Sequence, residues 1–294
     1  MPRHCAILVL LAACGPSDSG DSDSDMSTAI GTDTAKPALV DPEFNGDATL
    51  WNPTDCQTAI DCADDLCWVK ICGGHFEMGD DYADLTNQAP KHTVQISTFE
   101  IMQTESTVAM YQRCMDDGAC TAFDSTPLCD DLYDDQPRTC VDWARAEAFC
   151  EWADARMVTE AEFEYAARSR GADYAYPWGN EDPTCDFARL GCDLCGTFET
   201  APVCSFPDGN TEQGVCDMAG NAIEWTADWF HNTYDDAPTD GSAWIDPEGV
   251  FRVMRGGGVG SCSGPETRKR TFHEPDFWYA GGSIRCARDV VEDP

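Results

Sequence analysis

Cysteine is the residue type in this chain with the greatest capacity for chemistry. The sequence contains 18 cysteines in 294 residues, and their thiols could bind metals, act as nucleophiles or form disulfides. Cys192 and Cys195 form a CxxC pair of the kind that binds zinc. No second CxxC completes a four-ligand site, however, and the histidines are scattered along the chain. We therefore predict disulfides for most cysteines, with zinc as the alternative.

The first residues of the chain have the features of an export signal. Ala6 to Ala13 is an apolar run that is too short to cross a bilayer core, which needs about 20 residues. The sequence Leu11-Ala-Ala-Cys14 resembles a bacterial lipobox, which predicts cleavage before Cys14 and lipidation of that cysteine. An ordinary secretory signal is the alternative. Without Cys5 and Cys14, 16 of the 18 cysteines remain, an even number that suits an oxidised, exported protein.

The segment after Cys14 has the composition of a tether. Residues 15–25 consist of Gly, Pro, Ser and Asp alone, and apolar content stays low to about Thr49. Such a segment cannot bury a core, so we predict that it is disordered. The predicted organisation is a signal peptide at 1–13, a lipidated tether at 14–50 and one domain at 51–294. The lipid is the only predicted membrane attachment, and Gly15 favours the outer membrane of the cell envelope.

The chain is strongly acidic, with 54 Asp and Glu against 18 Lys and Arg and a net charge of −36. Such a surface repels nucleic acid, which we exclude as a partner, and it offers no attraction to anionic lipid headgroups. It is compatible with divalent cations, of which calcium is the obvious one outside a cell. A solvated acidic surface needs no ligand, so charge alone does not identify one.

Helical spacing and capping signals predict three short helices. The first spans about Thr107 to Asp117, the second follows the N-cap Asp142, and the third opens with the capping box Thr159-Glu-Ala-Glu162. Thr93–Ile96 and Phe251–Met254 alternate like strands. Gly, Pro, Asp and Asn separate these short elements, which predicts an irregular, loop-rich α+β fold with many disulfides.

A series of motifs runs through the domain in a fixed order. The most characteristic is Arg156-Met-Val-Thr-Glu-Ala-Glu-Phe-Glu-Tyr-Ala-Ala-Arg168, which Tyr176-Pro-Trp-Gly179 follows. The others are Ile71–Gly79, Pro90–Val94, Phe99–Ile101, Glu105–Tyr111, Ala201–Val203, Asp217–Thr226, Arg252–Gly257 and Ile284–Ala287. Over about residues 67–289 the chain thereby resembles the formylglycine-generating enzyme (sulfatase-modifying factor) family. This resemblance implies a single α+β domain of low regular structure, related to C-type lectins.

The resemblance also implies calcium as a cofactor. By motif position the expected ligands are Asp217, Gly220, Ala222 and Glu224. Two carboxylates that flank a glycine-containing turn do supply the hard oxygen ligands that calcium prefers. Asn221 and Glu224 could instead hold the turn by hydrogen bonds. Asp186 and Phe187 lie where the family's other calcium site begins.

The copper site that the resemblance implies is incomplete. Catalytic members oxidise a cysteine of a sulfatase peptide to formylglycine, using oxygen and a copper held by two cysteines that lie five residues apart after the Arg-Gly-Gly motif. Here Cys262 lies one residue later than the first of these cysteines, and five residues beyond it is Thr267. Soft thiolates are the ligands that select Cu(I), and one is missing. Cys262 is therefore the candidate catalytic residue, with a disulfide, for which Cys286 is the suggested partner, as the favoured alternative.

Two functional hypotheses follow. The first is a surface-tethered, calcium-stabilised module with a degenerate active site, which binds or scaffolds an envelope protein or peptide. The second is a formylglycine-generating oxidase in which Cys262 acts with a cysteine brought close by folding. The incomplete copper site favours the first. A further branch, the ergothioneine-type sulfoxide synthases, binds iron through histidines; we exclude it because His75, His92, His231 and His273 are far apart and its extra helical domain is missing.

Overall fold

The computed structural model describes residues 56–63, 65–81, 86–122, 129, 133–191, 195, 199–259, 264–278 and 282–290. Cys14, Cys192 and Cys262 lie outside these residues, as does the predicted tether. The chain divides into two units, Met1–Pro42 and Glu43–Pro294, and all of the described residues belong to the second. No helix in this described part is long and apolar enough to cross a membrane.

Within the described residues, three α-helices form where the helical spacing and capping signals predict them. Helix α1 spans Val108–Asp116, α2 spans Trp143–Trp152 and α3 spans Glu160–Ala167. At the start of α3 the Thr159 hydroxyl accepts a hydrogen bond from the Glu162 amide at 3.1 Å, and the Glu162 carboxylate accepts one from the Thr159 amide at 3.0 Å. This capping box satisfies two amides that helix geometry leaves without partners. Short 3₁₀ helices of the described residues span Thr86–Gln88 and Pro207–Gly209.

The strands of the described residues form three sheets. They are β1 Ile60–Ala63, β2 Leu66–Ile71, β3 Gly74–Met78, β4 His92–Ile96, β5 Phe99–Met102, β6 Arg156–Met157, β7 Ile223–Trp229, β8 Arg252–Arg255, β9 Thr271–His273, β10 Gly282–Ser283 and β11 Cys286–Asp289. An antiparallel sheet has the order β1-β2-β5-β11-β6, a second sheet has the order β10-β7-β8-β9, and β3 pairs with β4. The strands predicted around Thr93–Ile96 and Phe251–Met254 are confirmed as β4 and β8, each within one residue.

The five-stranded sheet separates two apolar clusters. Because successive strand residues point to opposite faces, neighbours on one strand enter different clusters. Val69 and Ile101 contribute to the cluster that contains Phe163 of α3. Trp68 and Met102 contribute to the cluster that contains Tyr111 of α1 and Phe149 of α2. The sheet is thus covered on both faces, and its alternating side chains fix the positions of all three helices.

Helix α3 is buried along its whole length although it carries three glutamates. Glu164 pairs with Arg168 at 3.0 Å and with Arg255, and Glu160 pairs with Arg270 at 2.7 Å. Buried charges are tolerated when they are paired in this way. The sequence motif that contains α3 therefore contributes a buried ion-pair network to the core.

Seven disulfides join cysteines of the described residues. Six close short loops of 5 to 16 residues: Cys56–Cys72, Cys62–Cys67, Cys114–Cys120, Cys129–Cys140, Cys185–Cys195 and Cys204–Cys216. The seventh, Cys150–Cys286, joins α2 to β11 across 136 residues. The prediction of a disulfide-rich fold with mostly local loops is confirmed.

The partners of Cys286 and Cys195 differ from those that the sequence suggested. The suggested pairing of Cys262 with Cys286 is wrong, because Cys286 is bonded to Cys150 in the core. Sequence spacing could not reveal this partner, which only the packing of α2 on the sheet brings close. The zinc alternative for the CxxC pair fails at Cys195, since this residue is bonded to Cys185.

Candidate functional site

Glu224, a predicted calcium ligand, lies on β7 and is bound by a buried arginine. Nε of Arg285 donates to Oε2 of Glu224, and Nη2 donates to Oε1, each at 2.8 Å. Arg285 also donates to the carbonyl oxygens of Met102 at 2.9 Å and Cys216 at 3.0 Å. Neither Arg285 nor Glu224 is exposed to solvent. Both carboxylate oxygens of Glu224 are therefore engaged by the protein itself.

Two further carboxyl groups lie beside this ion pair. Asp217 is the first predicted ligand, and its Oδ2 accepts a hydrogen bond from the Cys204 amide at 2.7 Å. Glu105, in the loop between β5 and α1, is fully buried, and its Oε1 accepts from the Ala222 amide at 3.3 Å. Three carboxyl groups thus share one guanidinium group. If all three were ionised, the cluster would carry a net negative charge in the protein interior.

The protonation of Glu105 responds to this surplus of carboxyl groups. Burial raises its pKa well above the ordinary value, and the charges of Asp217 and Glu224 raise it further. Burial also raises the pKa of Asp217, which has Glu105 as a hydrogen-bonding partner. No N–H or O–H group of the described residues donates to Oε2 of Glu105. Two carboxyl groups can bond to each other only by sharing a proton, and a bound cation would replace that proton.

The turn between Asp217 and Glu224 is held by backbone and amide contacts. Gly220 has a φ of +87°, and a Cβ atom there would lie 2.6 Å from the Arg189 carbonyl oxygen. Asn221 donates its backbone amide to the same oxygen at 2.7 Å, and its Oδ1 accepts from the Ala201 amide at 2.9 Å. Asn221 thereby ties the turn to its neighbours, whereas the Glu224 carboxylate bonds to Arg285 and not to the turn. Ala222, the remaining predicted ligand, is fully buried.

Asp186 and Phe187 lie in a different environment from this cluster. Asp186 is exposed, and its amide donates to the Thr184 hydroxyl at 3.3 Å. The Phe187 ring stacks on Trp178, with ring centroids 5.0 Å apart. Within the described part of the chain, no hydrogen bond or ion pair joins either residue to Asp217 or Glu224. The resemblance assigns Asp186 and Phe187 to a second, separate calcium site, and that assignment stays a prediction.

The donor set of the carboxylate cluster fits calcium in type and charge, because all its free ligands are oxygens. The described residues contain no group of three or more His, Cys, Asp or Glu side chains arranged to hold a metal. A cation here would therefore bind Glu105 and Asp217 and take its other ligands from backbone carbonyl groups or water. Sequence reasoning missed Glu105 and Arg285, although both lie within motifs that it had identified.

Thr267 lies five residues beyond Cys262, the spacing that the resemblance implies for the two copper-binding cysteines. Its hydroxyl donates to the Tyr174 carbonyl oxygen at 2.9 Å, its amide donates to the Ala175 carbonyl oxygen at 2.8 Å, and its side chain is buried. The threonine therefore ties the segment after Cys262 to the loop that follows α3. Cys262, the predicted catalytic residue, is outside the described residues.

The family is decided by comparison with known proteins. The model of the sulfatase-modifying factor enzyme 1-like domain matches residues 61–290. The chain belongs to this family. The match extends a few residues beyond the range 67–289 predicted from the motifs, and the predicted resemblance is confirmed.

Relatives in the family include two kinds of enzyme. A formylglycine-generating enzyme from Streptomyces coelicolor is 28% identical over 289 residues, which cover 76% of this chain and 89% of that protein. A hercynine oxygenase from Mycobacterium tuberculosis is 31% identical over 220 residues, and the chain spans only 51% of its length. Among solved structures, PvdO from Pseudomonas aeruginosa is 28% identical with a TM-score of 0.68, covering 80% of this chain and 98% of that one. Family membership is compatible with more than one activity, so the function depends on the site.

Proposed function

We propose that this chain is a lipid-anchored envelope protein whose domain binds or scaffolds another envelope protein or peptide, and that it lacks formylglycine-generating activity. The observation that supports the proposal is Thr267, which stands five residues beyond Cys262, where the resemblance implies a second copper-binding cysteine, and donates its hydroxyl hydrogen bond to the fold. A hydroxyl group is a poor ligand for Cu(I) compared with a thiolate. The site then lacks the ligand pair on which the family's oxidase chemistry depends.

The cysteine inventory supports the same proposal. The seven disulfides use 14 of the 16 cysteines that follow Cys14. Cys192 and Cys262 are the two that remain, and both lie outside the described residues. An oxidising compartment, in which the 14 form disulfides, favours oxidation of these two as well. The export predicted from the lipobox agrees with this compartment.

The alternative function is a formylglycine-generating oxidase with a rearranged pair of thiolates. The similarity to the Streptomyces coelicolor enzyme over most of its length favours it. Cys192 and Cys262 would be the only cysteines available to such a site, because the others after Cys14 are bonded. This restriction makes the alternative easy to test.

The test incubates the purified mature protein with Cu(I), oxygen and a peptide that contains Cys-x-Pro-x-Arg, and follows the peptide by mass spectrometry. A formylglycine-generating enzyme serves as the positive control. We expect no conversion of the peptide cysteine. Conversion that is lost in both Cys262→Ser and Cys192→Ser would overturn the proposal and establish the oxidase.

We also propose that calcium stabilises the domain through Glu105 and Asp217. A divalent cation would remove the need for a proton between these carboxyl groups and would balance the charge that Arg285 alone leaves uncompensated. The role is structural, because both residues are buried. Calcium therefore supports the binding module without implying catalysis.

The lipid anchor is a separate proposal that rests on Leu11-Ala-Ala-Cys14. Metabolic labelling with an alkyne-bearing fatty acid should mark the wild-type protein and not the Cys14→Ala variant. Release of the variant into the soluble fraction would support tethering by lipid alone. Labelling that persists in the variant would contradict it.

A further inference from the structure

A cleft of about 750 Å³ lies between α2, β6, the turn joining β4 and β5, and the loop over residues 240–245. It contains neither the carboxylate cluster nor Thr267 among its lining residues. We call it the α2 groove. Its volume is in the range of sites that hold a ligand rather than a single water molecule.

The floor of the α2 groove is apolar. Phe99 and Met157 are almost fully buried beneath it. Ile245 stands at its rim with 61% of its surface exposed, as one of few large apolar side chains that the described residues leave in water. An exposed isoleucine beside an apolar cleft loses water contact when a partner side chain covers both.

One wall of the groove is held rigid by an arginine between two indole rings. The Arg252 guanidinium carbon lies 3.9 Å from the centre of the Trp143 ring and 3.5 Å from that of Trp229. Nη1 of Arg252 also donates to the Ala227 carbonyl oxygen. This arginine is held in place by the fold, and its charge is partly offset by that of Glu147 in the same lining.

The second arginine of the lining, Arg156, is neutralised. It donates to both oxygens of Glu162, at 2.7 and 2.8 Å, and to Asp289 at 2.6 Å. The groove then retains a surplus of negative charge from Glu147, Glu151 and Asp240, since Arg252 offsets only part of the charge of Glu147. These exposed glutamates are four residues apart on α2, and no salt bridge joins either to a cation of the described residues. Like charges at this helical spacing repel each other.

We propose that the α2 groove binds an extended segment of a partner protein in which a basic residue lies next to a large apolar one. The apolar side chain would cover Met157 and Ile245, and the cation would lie between Glu147 and Glu151. β6 is an outer strand of its sheet and both its residues line the groove, which suits an extended polypeptide. The inference deepens the proposed binding function by naming its surface and the chemistry of the partner.

Two other occupants are disfavoured by charge. The chain's own segment at 15–25 contains Asp as its only charged residue, so it would be repelled by Glu147 and Glu151. A second copy of a chain with a net charge of −36 meets the same repulsion over its whole surface. A partner segment that is both basic and apolar is attracted by the charge of Glu147 and Glu151 and by the apolar lining of the groove.

The experiment uses the purified mature protein and three labelled hexapeptides, and it measures their affinity by fluorescence anisotropy. The first peptide alternates Lys and Leu, the second alternates Glu and Leu, and the third alternates Lys and Ser. We expect the first to bind tightest. If the Lys-Ser peptide binds as well as the first, the attraction is only that of a polyanion for a polycation and the proposal is wrong.

Variants locate the binding on the groove. Glu147→Gln with Glu151→Gln should weaken the Lys-Leu peptide about 3- to 10-fold, as expected for two exposed charge contacts, and Ile245→Ser should weaken it as well. Glu181→Gln with Asp182→Asn removes the same charge from exposed positions outside the groove and should leave the affinity unchanged. Equal effects of the two double variants would overturn the proposal. Unchanged melting temperatures for both would show that the fold is intact.

Failure of the α2 groove to bind the Lys-Leu peptide is distinguishable from failure of the proposed function. A groove that does not bind would remove the surface, while the copper and oxygen assay would still show no turnover. Turnover in that assay would overturn the binding function whether or not the peptide binds.

Discussion

The Glu224 carboxylate is bound by the Arg285 guanidinium through two hydrogen bonds of 2.8 Å, and neither side chain is exposed. The pair joins β7 to the segment between β10 and β11, and the two residues are 61 positions apart in the sequence. It also places one positive charge among three carboxyl groups. The stability of the domain should therefore depend strongly on this arginine.

Replacement of Arg285 by Met tests that dependence. The variant leaves buried Glu224 without a cation, and loss of one partner of a buried pair costs about 3–5 kcal/mol. Urea unfolding of the purified protein measures the free energy. Arg288→Met on the adjoining strand β11 is the matched control, because its pair with Glu100 is partly exposed and such pairs contribute about 0–1 kcal/mol. Equal losses in the two variants would contradict the role assigned to Arg285.

Calcium should raise the melting temperature of the wild-type domain, and a chelator should lower it. A ligand that binds only the folded state at about 100 times its Kd adds about 2.7 kcal/mol. Glu105→Gln should abolish the response, since the amide keeps an acceptor for the Ala222 hydrogen bond but carries no charge. Glu248→Gln, an exposed carboxylate, should retain it. A chelator without effect on the wild-type protein would remove the proposed site.

Asp228 makes the stability depend on pH. Burial, with Glu160 close by, raises the pKa of Asp228 from 3.8 to about 7. The folded state therefore holds this proton more tightly than the unfolded state, and the stabilisation is lost as the pH rises from about 4 through 7. In urea unfolding across this range, Asp228→Asn should have a flatter profile than the wild type. Parallel profiles would show that Asp228 does not titrate as stated.

Asp240 is a control, because its contribution to the pH dependence of stability has the opposite sign. Hydrogen bonds from the Ser242 hydroxyl and amide lower the pKa of this exposed carboxyl group. Its contribution is present above its unfolded pKa and is lost as the pH falls. The effect of Asp240→Asn should thus be largest at neutral pH.

The long-range disulfide should stabilise the domain more than a local one. Cys150–Cys286 closes a loop of 136 residues, whereas Cys62–Cys67 closes one of 5. Cross-links stabilise by about 2–5 kcal/mol, and more for longer loops. Replacing Cys150 and Cys286 by Ala should therefore lower the free energy of unfolding further than the same change at Cys62 and Cys67. The reverse order would contradict this account of the fold.

Local signals predicted the local structure well. Asp142 and Thr159 cap helices as predicted, and Thr107, predicted as the start of the first helix, is its N-cap, because capping depends on residues within one turn. The partner of Cys286 and the pairing of Glu224 with Arg285 could not be predicted in the same way. Both depend on segments that are far apart in sequence and meet only through packing. Glu105 was missed for the same reason, since it lies 112 residues before Asp217 in the numbering.

The candidate site was therefore predicted in part. Motif position identified Asp217 and Glu224, and the structure brings both to one buried cluster with Glu105. It assigned Asp186 and Phe187 to a separate calcium site, and that assignment stays a prediction. Motifs fix which residues a segment carries, whereas the charge balance of a buried cluster depends on every segment that contributes to it.

The most direct test of the central claim is a count of free thiols on the unreduced mature protein, by alkylation and intact mass. We predict no free thiol, because 14 cysteines form the seven disulfides and Cys192 and Cys262 are oxidised as well. Two free thiols, mapped to Cys192 and Cys262 and protected from alkylation by one equivalent of Cu(I), would contradict it and restore the oxidase.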